Sequence, residues 1–234
     1  MLKINRKTDE FQIILSLFYI CTMELIPSIQ QYAALPIPHH VIKWLLKDYK
    51  QPNDKIHNLL KRGILEQVKK GLYVAGPAIS KVKPNPFLIA NHILGPSYIS
   101  LESALSYHGL IPERVYTITS VTTKTTREYT TPLGNFTYTR LPLPYYSYGI
   151  RSMEIAPEQR IMIASPEKAI FDKIITTAGV EFRSKISVLT YMENDLRLDI
   201  DNLTRLDLKS MAHWISTAPK KQTLKLLLET IHGL

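Results

Sequence analysis

PNDKIHNLLKRGILEQVKKGLYVAG, Pro52 to Gly76, holds two hydrophobic periods in one run. Ile56, Leu59, Leu60 and Gly63 recur at the spacing of one helical face. ILEQV and LYVAG then alternate as two short strands around Lys69-Lys70-Gly71, where glycine suits the positive φ of a tight hairpin. The stretch predicts a helix followed directly by a β-hairpin. Upstream, Pro36 and Pro38 open a preceding helix, HHVIKWLLKDY, with Val41, Trp44, Leu45 and Tyr49 as its apolar face. Gln51-Pro52-Asn53 is the short turn between the two helices.

With a further apolar helix before it, at residues 11–34, the order is helix, helix, short turn, helix, hairpin. That is the order of a winged helix-turn-helix, expected over residues 23–80. On its third helix, Asp54, Asn58 and Lys61 oppose the buried face and are flanked by Lys55, His57 and Arg62. These side-chain types suit the major groove: Asn pairs with adenine, Lys or Arg with guanine, and an acid accepts from cytosine. Lys43 and Lys47, with Lys50, form a separate stripe suited to phosphates, which set register without reading sequence. Lys69 and Lys70 at the hairpin tip complete the candidate interface with double-stranded DNA. An exposed polar helix or a lysine turn, taken singly, usually signifies only a solvated surface; their order and company carry the reading.

Charge distribution points the same way. The net charge of +9 is divided unevenly: residues 1–83 hold 13 Lys/Arg against 6 Asp/Glu, and the remaining 151 residues hold 16 against 14. Such segregation fits a basic nucleic-acid module joined to a near-neutral domain with another task. The lone Cys21 excludes an internal disulfide framework and a cysteine zinc site, which fits a cytoplasmic protein. MLKINRK and the apolar FQIILSLFYIC imitate a signal peptide, but Asp9, Glu10 and the missing small-residue cleavage site argue against one. Residues 1–22 are read as an extension of uncertain status, with Met1 and Met23 both candidate starts.

GPAISKVKPNPF, residues 76–87, looks like a linker. Beyond it, residues 85–234 read as a mixed α/β domain, making the chain α+β. It has a β-rich block at 113–164 and a helical tail at 184–232. Ser100 is expected to cap the helix LESALSYHG, and Ser165 the helix PEKAIFDKIITT. Lys168 and Asp172, four apart, form an expected surface pair worth roughly 0.3 kcal/mol. No phosphate-binding glycine loop, dinucleotide fingerprint, nucleophile elbow or HExxH zinc motif occurs, so no catalytic residue, cofactor or metal is assigned.

KRGILEQVKKGLYV, then YISLESALSYHGLIP, then IASPEKAIFDKI resemble the AbiEi-type antitoxins of type IV toxin–antitoxin systems, over about Met23 to residue 180. The pairing of the last two motifs is the more specific part. The resemblance implies an autorepressor whose winged helix binds inverted repeats in its own promoter, two copies per site. It also implies a C-terminal domain countering a nucleotidyltransferase-like toxin without a stable complex, in an abortive-infection setting. Glu102, His108, Arg140, Arg151, Glu167, Lys168 and Asp172 are the candidate antitoxin surface. Two other classes stay open at this point: a ligand-gated regulator with a pocket lined by Tyr145, Tyr146 and Tyr148, and an RNA binder in which Arg140, Arg151, Arg160 and Arg183 converge with those tyrosines.

Overall fold

The computed structural model describes residues 25–198 and 200–234 and is mixed α+β. The expected helix over 11–34 lies mostly outside the described residues, as do Cys21 and both candidate starts. The chain divides into two compact units, one running to Pro84 and one from Asn85 to Leu234. Among the described residues, no helix is long and apolar enough to cross a membrane.

In the first unit, α1 (residues 25–30), β1 (Ile37–Pro38), α2 (His39–Leu45) and α3 (Pro52–Lys61) precede a hairpin of β2 (Leu65–Lys69) and β3 (Leu72–Ala75). Proline at the first turn of α3 needs no amide partner, which starts that helix where the sequence placed it. Gly71 takes φ +84 in the hairpin turn, and the strands pair antiparallel from Leu65↔Ala75. β1 adds a third strand, Ile37↔Tyr73, giving the order β1-β3-β2. The His39 amide donates to the Gly71 carbonyl, tying the start of α2 to the turn.

The core of this unit is built from Leu25, Ile29, Ile37, Ile42, Leu46, Ile56, Leu59 and Leu65. The expected face of α2 is thereby rotated: Ile42 and Leu46 are buried, whereas Trp44 stands 62% exposed. The helix ends at Leu45, short of the expected Tyr49, so the later turns no longer obey its period. The segment read as a linker is fastened to this unit. Lys83 donates to Glu66 and to the Ala75 carbonyl, and Gln30 donates to the Ile79 carbonyl.

The second unit is a six-stranded mixed sheet of order β6-β7-β5-β4-β9-β8. In chain order it contains α4 (Pro86–Ile93), β4 (Ser97–Ile99), α5 (Leu101–Tyr107), β5 (Ile118–Thr122), β6 (Arg127–Thr131), β7 (Gly134–Arg140), β8 (Ile150–Ala156), β9 (Gln159–Ala164) and α6 (Pro166–Thr176). β4 pairs parallel with β9 and antiparallel with β5, and β5 pairs parallel with β7. The tail is helical: α7 (Lys185–Thr190), a π turn (Tyr191–Asp195), α8 (Ile200–Leu203), α9 (Leu208–Ile215) and α10 (Lys221–Ile231).

Candidate nucleic-acid interface and the motif junction

α3 buries Ile56 and Leu59 and leaves Asp54, His57, Asn58, Lys61 and Arg62 exposed, a polar face one helix long. Lys55 does not belong to that face. It is buried, its ammonium 4.7 Å from the ring centroid of Tyr49, because its position turns it toward the segment that follows α2 rather than outward. Lys43, Lys47 and Lys50 are exposed, and the Lys47 ammonium lies 5.7 Å from the ring centroid of the exposed Trp44. At the hairpin tip Lys70 is exposed and Lys69 half-buried, the latter after a register shift between Gln67 and Lys69. Trp44 was missed as a surface residue because its apolar character suited the expected core stripe.

The residues assigned to the second unit fall into different environments. Lys168 and Asp172 are both fully buried, 3.0 Å apart, so neither belongs to an exposed surface. The expected exposed pair is an interior ion pair, because α6 is covered on both sides. Asp172 accepts from the hydroxyls of Tyr98 (2.8 Å), Ser100 (2.7 Å) and Tyr145 (2.9 Å), and Lys168 donates to the Tyr145 carbonyl. The Lys168 ammonium also lies over the Tyr145 ring, 3.2 Å from its centroid. Burial pulls the Lys168 ammonium below its ordinary pKa, against the pull of Asp172. Burial, then the Asp172 charge, pushes Tyr98 and Tyr145 well above theirs, and Tyr146 is pushed up to about 12.

Ser100 precedes α5 but makes no side-chain cap; its hydroxyl serves Asp172 instead. Ser165 does cap α6, accepting from the Lys168 amide. His108 hydrogen-bonds through Nε2 to the Ala164 carbonyl at 2.8 Å, and Lys173 pairs with Glu102. The carbonyl only accepts, so Nε2 carries the proton. The motifs YISLESALSYHGL and ASPEKAIFD are thus cross-linked three times, by Tyr98–Asp172, Ser100–Asp172 and His108–Ala164, and Glu102–Lys173 adds a link one residue past the second motif. Their joint occurrence has a physical cause in this junction.

Gly149 closes it. Its φ is +63, and a Cβ there would stand 2.7 Å from Lys168 Cβ and 2.8 Å from Trp214 Cη2. Glu167 is also buried, accepting from the Asp207 amide and facing Arg151 at 3.8 Å. Arg160 pairs with Glu154, and Tyr145 and Tyr146 are interior. Arg151 and Arg160 thus face carboxylates, and the two tyrosines are too buried to stack a base from solvent. Arg140 stands apart, exposed at the end of β7.

No family model and no curated protein matches the sequence. The fold is similar to that of the RV2827C protein from Mycobacterium tuberculosis, known from its crystal structure. The TM-score is 0.62 at 14% identity, over 91% of this chain and 77% of that one. At that identity the likeness concerns the fold alone.

Proposed function

We propose that the first unit is a winged helix that binds double-stranded DNA, and that the protein is an antitoxin and autorepressor of the AbiEi type. The observation that carries the DNA reading is the exposed polar face of α3, Asp54, His57, Asn58, Lys61 and Arg62, beside the Lys70 hairpin tip. Short strand, helix, turn, helix and hairpin in this order, with β1 closing the sheet, support the same reading. In it, α3 enters the major groove, Asn58 and Lys61 meet base edges, and Lys43, Lys47 and Lys70 meet phosphates. Lys55 instead packs beneath the reading helix.

The antitoxin half of the proposal rests on the resemblance of the two motifs. The junction between α5 and α6 gives their pairing a structural role, and the exposed surface around it carries the protective activity. The target is a nucleotidyltransferase-like toxin, countered without a stable complex.

Binding to DNA from upstream of the gene tests the first half. Asn58→Ala relaxes sequence preference, whereas Lys43→Ala weakens all sequences alike. Competition electrophoresis with specific and scrambled duplexes separates the two effects. Equal loss on both duplexes for both variants means that α3 is not the reader.

A further inference from the structure

A cavity of about 530 Å³ in the second unit is lined by Leu94, Thr123, Lys124, Thr125, Arg127 and Arg140. It lies where the loop from β5 to β6 crosses the carboxyl ends of the parallel strands β5 and β7. Thr122 is opposite Arg140 in that pair. In open sheets with parallel strands, the carboxyl ends beside a crossing connection are where ligands settle.

Several polar groups of this corner are already bonded to one another. The Thr122 hydroxyl donates to the Pro96 carbonyl and accepts from the Lys124 amide, and the Arg140 amide donates to the Thr126 hydroxyl. The three cationic side chains are not committed. Lys124, Arg127 and Arg140 are exposed, and among the described residues none has an ion pair or a side-chain hydrogen bond.

Strand register explains why the charges gather. Arg127 is paired with Tyr138, so both lie on one face of the β6–β7 ribbon, and Arg140, two residues on, shares that face. Tyr138 donates to the Ala90 carbonyl of α4, so the face is the helix-covered one, and Leu94 just after α4 floors the cavity. Glu128 is opposite Thr137 and therefore points to the other face. None of the lining residues is acidic. Like charges around one cavity with no carboxylate among its lining residues attract an anion, and a multiply charged one most strongly.

We infer that this cavity binds consecutive phosphoryl groups, in an oligophosphate or along a nucleic-acid backbone. Two guanidinium forks match phosphate oxygens two at a time, Lys124 adds a point charge, and the Thr123 and Thr125 hydroxyls supply neutral donors. Three cations exceed what a single carboxylate needs, and no aromatic side chain lines the cavity to stack a base. Recognition is therefore of the phosphates. The site is in the other unit from α3 and goes beyond the DNA reading.

Calorimetric titration of the full chain at low ionic strength, with inorganic tripolyphosphate and separately with a short single-stranded RNA, tests it. Tripolyphosphate binds saturably, and the double substitution Arg127→Gln/Arg140→Gln weakens it about tenfold or more. Lys124→Gln, in the exposed loop, weakens it less and serves if the double variant loses its fold. Lys61→Gln/Arg62→Gln leaves it unchanged while losing promoter DNA, so the two readings fail separately. RNA displacing tripolyphosphate from the cavity identifies a nucleic-acid backbone as the source; RNA without effect identifies a free oligophosphate. No saturable binding, or equal binding by folded wild type and cavity variants, overturns the inference.

Discussion

Asp172 has four partners and no contact with solvent, so its removal leaves the Lys168 ammonium buried with no counter-charge. Breaking such a pair from one side costs about 3–5 kcal/mol, far more than an exposed pair contributes. Urea denaturation of Asp172→Ala is expected to show a loss of that size in the second unit, and Lys168→Met in the same background to recover part of it. His108 gives a pH dependence. Burial lowers its pKa from the ordinary 6.5, opposed by its bond to Ala164; Arg151 lowers it further and Glu167 raises it. The unfolded chain then takes up a proton first, so stability falls as pH drops through 6.5 toward the folded value. Denaturation midpoints between pH 7.5 and 5.5 should decline in the wild type and flatten in His108→Gln. At this scale, local signals were legible: Ser165 caps α6 by accepting from the amide three residues on, and Gly71 turns a hairpin. Ser100 and Lys168 were not, because their partners are remote in sequence. A Lys–Asp pair at helical spacing is usually exposed, and only the packing of α5 and the Tyr145 segment buries this one.

Elements of the first unit were legible because α3 and the hairpin each carry a full period of their own. β1 and β4 were not, being two and three residues long, too short for alternation to register. The partner strand, rather than the strand's own pattern, makes them visible: Tyr73 for β1, Ile163 and Ser120 for β4. The apolar face of α2 was misplaced because Trp44 was counted as core. The hairpin makes its own prediction. If Lys69 and Lys70 meet phosphates, replacing both with alanine lowers the log–log salt slope of DNA affinity by up to about 2, from near −5 for about six contacts. Affinity measured across a salt series checks this; an unchanged slope removes the hairpin from the interface. Lys69, being half-buried, is expected to give the smaller share.

For the whole molecule, the charge is uneven along the sequence, and the two compact units meet in the chain between Pro84 and Asn85. On the proposed reading, a fragment beginning at Asn85 loses repression of its own promoter while still protecting cells from the toxin; growth assays with a promoter reporter read both at once. A folded fragment without protection would mean the tasks are not divided this way. The strand order has a consequence in time. β4 is an inner strand, and its pairing Ile99↔Ile163 joins distant parts of the chain, whereas Leu65↔Ala75 and Ile37↔Tyr73 are comparatively local. Distant pairings are slow to form because the intervening chain must first be closed into a loop. During synthesis the ribosome has to release β9 before β4 can acquire its second neighbour. The unit bearing α3 can be finished while the other still has an unpaired strand, so the growing chain matures from its basic end.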